Sequence, residues 1–531
     1  MAAGFADLHN HQFAQLAYGG RTVWGAACGD PSEALRSCCP AHGPHGICDF
    51  VGNIVSRVQG GKGSLFGHGV GGYPDFKGWP RWGSMTHQAV HEDWLHRAVQ
   101  GGLRLMVMLA VNNKLLCKIR RAPGRGCGDM EAVDLQLRAA REMEAHIDAK
   151  HGGPGQGWYR IVTTPTEARA VINADKLAVV LGIEVDHLFG CHTEADLTED
   201  RLRQELDSYH ALGVRHIFPI HFGNNGFGGG AFEHGLIWDV GGGLLSRRNP
   251  LGTLRAYRIH TCDGRDLGYE YRTGRRNVQG LTGLGTILIR ELITRGMIID
   301  LDHMSAASKA DTFDLCEAAD YPVVTGHSGF LEISRGEHRH ERQLHPDEIE
   351  RIRRLGGMVS FIAGQGTLDQ IDTWRGHPRT TIEHTCGGTA NSTVQAYLYA
   401  ATAMGCAPVG LGTDLNGFAV LPGPRFGPHA APGGHHGPAP DNPVRYPFNT
   451  ATGTRLDTTV TGRRSFDINT DGVAHVGLLP DLLADFQAMG LNPADLDPLL
   501  RSADGYLAVW EKASKRAAGP QAQHQLPPSP A

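Results

Sequence analysis

Imidazole nitrogens and carboxylate oxygens hold divalent metals and move protons. In this sequence such groups stand where short apolar runs end. His9 and His11 close the first run (FADLHNH), Glu184 closes VVLGIE and His221 closes IFPIH. His303 closes IIDLDH, His327 closes VVTGH and Asp414 closes GLGTD. These are the ligand types zinc prefers in a catalytic site that keeps an open position. Side chains at i and i+2 of a strand share a face, so His9 and His11 can grip one ion together. With 29 histidines in 531 residues, close pairs also arise by chance, and a lone strand-end histidine is more often a satisfied core residue. The recurrence of ligand types at one end of successive runs decides for a metal site.

The elements that would position them are eight apolar runs, at 5–11, 103–111, 177–184, 214–221, 297–303, 322–327, 357–362 and 409–414. Most are continuously hydrophobic, as parallel strands buried on both faces are. Amphipathic segments lie between them, such as EDRLRQELDSYHALG (199–213), GLGTILIRELITRG (283–296) and HPDEIERIRRLGG (345–357). Eight strands alternating with helices predict a (β/α)8 TIM-type barrel, whose catalytic groups come from the C-terminal strand ends. The expected organisation is one hydrolase barrel domain over 1–515 and a disordered tail over 516–531. Long loop insertions at about 19–83, 226–280 and 418–464 would cover the catalytic face. The last contains LPGPRFGPHAAPGGHHGPAP, which suits neither helix nor strand.

Composition narrows the function. A net charge of −5 without a strongly basic segment argues against a nucleic-acid partner. No apolar run reaches the roughly 18 residues of a membrane span, and no signal peptide precedes Asp7, so a cytoplasmic location is expected. Eleven cysteines spread over the chain are not a disulfide framework. Cys28, Cys38, Cys39 and Cys48, with His42 and His45 among them, match no standard zinc spacing, and free thiols or one local disulfide are the preferred reading there.

The motifs resemble the membrane (renal) dipeptidase family of the metal-dependent amidohydrolase superfamily. GLTGLGTILIRELITRGMIIDLDHMS (280–305) is similar to that family's approach to a metal histidine, and TGHSGF and GLGTDLNG resemble its next ligand motifs. GVRHIFPIHFGNNGF (213–227) is similar to its substrate-contacting segment, with His221, Asn224 and Asn225 as the contacts. HERQLHPDE (340–348) resembles the stretch whose arginine holds the substrate carboxylate, here Arg342, although RQLHPD is one residue longer than the family spacing. The resemblance implies that His9, His11 and Asp414 bind one zinc ion, that His303 and His327 bind a second, and that Glu184 bridges them. Two ions are expected, one being the lesser alternative. It also implies hydrolysis of an amide bond in a dipeptide or similar small substrate by a hydroxide between the ions. Asp414 would be the general base and then acid. His221 would stabilise the oxyanion, and Arg342 would fork onto a carboxylate.

Two features qualify that reading. The family usually has His-x-Asp on its first strand, where this chain has His9 and His11. Two divalent ions against Glu184 and Asp414 leave two net positive charges, or one with hydroxide, where the usual Asp leaves none. The site would then favour an anionic substrate and a more acidic water, or bind its second ion less tightly. Tyr73, Phe76, Trp79 and Trp82 (68–83) either give their insertion a small core of its own, the preferred reading, or face a larger ligand. They could also form an oligomer contact, a homodimer being the assembly such barrels suggest. The alternatives to a dipeptidase are a specialised enzyme acting on a larger metabolite by amide hydrolysis, lyase or isomerase chemistry, and a metal-binding protein without catalysis.

Overall fold

The computed structural model describes residues 4–58, 66–232, 259–261, 275–335, 339–364, 371–437 and 442–517. Its centre is a parallel sheet of eight strands: β1 (Phe5–Asn10), β2 (Leu103–Asn112), β3 (Leu177–Val185), β4 (Val214–Ile217), β5 (Ile298–Ile299), β6 (Val324–Ser328), β7 (Met358–Ile362) and β8 (Gly410–Gly412). Hydrogen bonding runs in the order β5-β4-β3-β2-β1-β8-β7-β6. A parallel bridge from Asp300 to Val324 joins the two outer strands and all but closes the ring. The fold is therefore a (β/α)8 barrel. Every residue of β2 and β3 is buried, because helices cover the outside while side chains fill the inside. A short strand, Tyr159–Ile161, pairs with the start of β3.

The helices form where their caps say they should. Thr198, Thr282 and Ser305 each accept a backbone N–H at the start of Glu199–Ala211, Gly283–Thr294 and Ala306–Ala318, satisfying donors that the helix leaves open. Pro346 opens Pro346–Arg354, where a missing N–H costs nothing. The last helix, Ser502–Ala517, runs two residues into the expected tail, and the rest of that tail lies outside the described residues. Ser502 Oγ accepts from Ala6 N at 2.7 Å, tying this helix to β1.

Three strands pair for less of their length than the apolar runs suggest. β4 stops at Ile217, two residues before Pro219, which has no N–H for a ladder. Beyond β5, Asp302 N donates to the Asp300 carboxylate at 2.9 Å, and His303 takes the left-handed backbone at φ 66°. Asp414 does the same after β8 at φ 51°. His221, His303 and Asp414 thus lie beyond the paired strands, on backbone that leaves the ladder to turn across the barrel mouth.

The insertions dock on the barrel. Phe76, Trp79 and Trp82 are buried within the main hydrophobic core rather than in a core of their own. Phe76 packs edge-on against Trp79 and Phe466, and Arg464 donates to the carbonyls of Phe76 and Trp79 at 3.3 Å. Those contacts join the first insertion to the third, which folds partly as the hairpin Thr459–Thr461/Arg464–Phe466. The expected insertion at 226–280 lies mostly outside the described residues. Among the described residues no helix is long and apolar enough to cross a membrane.

Candidate metal centre

The barrel brings all seven strand-end residues together. Glu184, 1% exposed, is at the middle, and its two oxygens face different groups. Oε2 lies 3.0 Å from His9 Nε2 and 3.1 Å from His11 Nε2. Oε1 lies 3.2 Å from His303 Nε2 and 3.8 Å from His221 Nε2. Asp414 Oδ1 completes the first group, 3.2 Å from His11 Nε2 and 3.6 Å from His9 Nε2. His327 stands between the groups. Its Nε2 is 3.1 Å from His303 Nε2, and its ring stacks on His9 with centroids 3.5 Å apart.

Several of these side chains are held ready to bind a cation. His11 Nδ1 faces the Leu109 carbonyl at 3.1 Å and His327 Nδ1 faces Asp302 Oδ2 at 3.0 Å, so each donates there and aims Nε2 inward, where its lone pair would serve an ion in place of a proton. Burial holds the His9 imidazole below its ordinary pKa and pushes that of His327 down to about 3, both in the direction of the neutral form that a metal ligand needs. Burial alone would raise the carboxylates. The histidines around Glu184, His9 and His221 first, hold it well below the usual range, and the His11 hydrogen bond does the same for Asp414. Two carboxylates held below their usual range and five inward-facing imidazole nitrogens fit a cation centre.

Three carboxylates escaped the sequence reading. Asp302 Oδ2 accepts the His327 backbone N–H at 2.6 Å as well as Nδ1, and Oδ1 accepts from Ser328 Oγ. Asp186 Oδ1 holds His221 Nδ1 at 2.8 Å. Asp7 accepts from Thr413 N, Thr413 Oγ and Asn10 Nδ2 at 3.0, 2.7 and 2.9 Å, stitching β1 to the residue before Asp414. A usable signal for Asp186 and Asp7 was their i±2 spacing from Glu184 and His9, in EVD and DLH, whereas Asp302 adjoins His303. Glycines give the residues room: a Cβ at Gly417 would lie 1.8 Å from Asp414 Oδ1 and 2.5 Å from His11 Cδ2.

Asn224 and Asn225, read as substrate contacts, are buried and occupied within the loop that carries His221. Asn225 Nδ2 donates to the Pro219 carbonyl at 3.0 Å, and its Oδ1 accepts from Phe227 N and Gly228 N. Asn224 Oδ1 accepts from Gly230 N at 3.1 Å and from Asn277 Nδ2. Arg342 does reach the centre, donating to His327 Nε2. Its neighbour Glu341 fixes that segment by accepting from Phe232 N, Asn277 N and Ala306 N at 2.8–2.9 Å.

Cys28, Cys38, Cys39 and Cys48 are in no disulfide among the described residues. A disulfide instead joins Cys117 to Cys127, ten residues apart.

Comparison with known proteins gives the same direction as the motifs. Residues 264–424 match the model of the membrane dipeptidases, Peptidase family M19. An uncharacterised dipeptidase of Schizosaccharomyces pombe is 27% identical over 246 residues, 46% of this chain and 43% of that protein. Dipeptidase ataJ of Aspergillus terreus is 22% identical over 56% of this chain and 60% of its own length. The chain thus spans less than two thirds of the curated relatives it matches. Among solved structures, a metallopeptidase of Rhodobacter sphaeroides with a phosphinate mimic of L-Ala-D-Ala is 16% identical at a TM-score of 0.46, covering 79% of this chain and 89% of that one. The match to the family model takes in β5 to β8 with His303, His327 and Asp414, and the resemblance to the membrane dipeptidases rests on it.

Proposed function

We propose that this protein is a metal-dependent hydrolase of dipeptides or dipeptide-like amides. The observation that carries the reading is Glu184, whose two oxygens each face a separate set of histidines. His9, His11 and Asp414 would hold one zinc ion, His303 and His327 a second, and Glu184 would bridge them. Bound zinc supplies Lewis acidity and makes a water nucleophilic near neutral pH. The residues of the chain do the rest. Asp414, ionised and at the mouth, takes the proton of the attacking water and hands it to the leaving amine. His221, its Nδ1 held by Asp186, turns Nε2 toward the centre, and with a proton on both nitrogens it donates from Nε2 to the oxyanion. Arg342 is the carboxylate clamp. Its guanidinium donates to His327 Nε2, the atom that would hold an ion, so the fork lies beside the centre where a substrate carboxylate would sit. Asn224 and Asn225 shape the His221 loop rather than touch substrate. Phe76, Trp79 and Trp82 spend their surface in the core, which favours a small substrate over a larger planar one.

The test is turnover of L,L- and L,D-dipeptides by zinc-loaded protein, with metal counted per chain. His327→Ala should lose an ion and all turnover, whereas His221→Ala should keep its metal and lose turnover. Failure of the metal-loaded protein to cleave any dipeptide overturns the reaction. Loss of an ion in His221→Ala, with none lost in His327→Ala, overturns the assignment of the second site.

A further inference from the structure

A second cluster of ligand-type side chains lies in the first insertion, separate from the strand-end centre. Cys38, His42, His68 and His87 each offer an atom, and these four atoms lie within 4.8 Å of one another. Cys38 caps and His42 ends the short helix Cys39–His42, while His68 and His87 arrive from two later loops. Cys38 and His42 are fully buried and His87 is 3% exposed. From this geometry we propose that Cys38, His42, His68 and His87 form a four-coordinate structural zinc site, which pins the first insertion to the barrel.

Two separations within the cluster match the edges of a tetrahedron. Zinc bonds of about 2.05 Å to nitrogen and 2.3 Å to sulfur, at the tetrahedral angle, separate two nitrogens by about 3.3 Å and a nitrogen from a sulfur by about 3.6 Å. His42 Nδ1 and His68 Nε2 are 3.4 Å apart, and Cys38 Sγ and His68 Nε2 are 3.7 Å apart. The three rings stand nearly perpendicular to one another, at 80°, 83° and 90°, as rings arranged about a common point do.

The surrounding hydrogen bonds fix which nitrogen faces inward. His42 Nε2 donates to the Thr22 carbonyl at 3.2 Å. His68 Nδ1 donates to Asn53 Oδ1 at 3.1 Å, and Asn53 Nδ2 donates to the Gly46 carbonyl, so the amide orientation is settled. Both inward nitrogens therefore carry lone pairs and face each other, a repulsive arrangement unless a cation lies between them. His87 adds an independent sign. Its ring is stacked on Trp79 at 4.9 Å, and both of its nitrogens are buried with no hydrogen-bond partner among the described residues. Such a group is costly unless something ligates it. On binding, the Cys38 thiol exchanges its proton for the ion, and thiolate with Zn²⁺ leaves one positive charge. The buried Asp49 carboxylate balances it, 3.7 Å from His42 Nδ1 and 3.8 Å from His68 Nδ1.

The site has a route to the catalytic mouth. His87 precedes Gln88, whose Nε2 donates to the Gln12 carbonyl at 3.1 Å and whose Oε1 accepts from Asn416 Nδ2 at 2.8 Å. Asn416 also donates to the His11 carbonyl at 3.2 Å. An ion at Cys38 would thus hold the insertion against the loops that bear His11 and Asp414.

Cobalt-loaded full-length protein tests this, because the strand-end centre offers only nitrogen and oxygen. The wild type should show a thiolate-to-cobalt charge-transfer band in the near ultraviolet. The band should persist in His303→Ala and disappear in Cys38→Ser, and Cys38→Ser and His87→Ala should each bind one ion fewer per chain than wild type. Absence of the band from wild type overturns the proposal even where a variant fails to fold. So does a band, or a full metal complement, that survives both substitutions.

Discussion

Asp302→Asn isolates what the carboxylate behind His327 does. The substitution keeps shape and volume. The amide oxygen can still accept from the His327 backbone N–H and from Nδ1, now 2.6 and 3.0 Å from Oδ2, and the amide nitrogen can donate to Ser328 Oγ. What is lost is charge. Charge-assisted bonds are worth about 1.5–3 kcal/mol each and neutral ones about half that. The two such bonds to His327 put an upper limit of about 3 kcal/mol on what is lost there. The bond that strengthens when His327 binds a cation is Nδ1–H to Asp302, so roughly half of that limit or more should appear in metal affinity. This corresponds to about a 10–100-fold loss, or about 1.4–2.7 kcal/mol. Zinc affinity, measured by competition with a chromogenic chelator, should fall by that factor, while the melting temperature of the metal-free protein barely moves. Dipeptide turnover should recover at saturating zinc. Affinity within about twofold of wild type, in a variant that folds normally, would refute the argument that Asp302 tunes His327.

Other expectations follow from the same structure. His11→Asp adds a carboxylate facing the cations and should tighten binding of the second ion by about tenfold, or about 1.4 kcal/mol, with unchanged stoichiometry and affinity counting against it. Arg97 and Asp481 form an ion pair whose side chains are 9% and 0% exposed, with Tyr446 OH donating to Asp481 at 2.6 Å. Arg97→Ala should cost about 3–5 kcal/mol in urea unfolding, and the double change to Met and Leu much less, because only the single change leaves a charge buried alone. His216, between Asp300 Oδ2 at 2.9 Å and Tyr506 OH at 3.0 Å, is pushed down to about 3 by burial. The folded pKa is below the unfolded one, so this contribution to stability is present above the unfolded value near 6.5 and is lost as pH falls toward 3. The slope should reach about 1.4 kcal/mol per pH unit at most, and His216→Gln should flatten it.

Much of the barrel was legible locally. A run such as LAVVLGIEV is continuously apolar because both faces of a parallel strand are buried, and its terminal acid stands out because nothing else in the run is polar. The same contrast marked His9, His11, His221, His303, His327 and Asp414, and caps and prolines marked the helices. Where each ladder ends was less legible, since it depended on Pro219 and on left-handed backbone at His303 and Asp414, and a hydrophobic pattern records neither. The supporting carboxylates were hidden because Asp302, Asp186 and Asp7 look like ordinary strand-end acids until their partners on other strands are known. Asn224 and Asn225 stood in a motif, yet the loop closes on their amides. Composition could not separate an aromatic set that lines a ligand from one that fills a core, and Phe466, nearly 400 residues after Phe76, decided it. The sequence by itself determined which residues could carry the chemistry and the strands that present them, because burial and backbone hydrogen bonding impose a local period. The tertiary structure alone decided which oxygen of Glu184 meets which histidine, and that Cys38 meets His87 rather than another cysteine. Those contacts depend on how distant segments cross in space, and no local pattern encodes that.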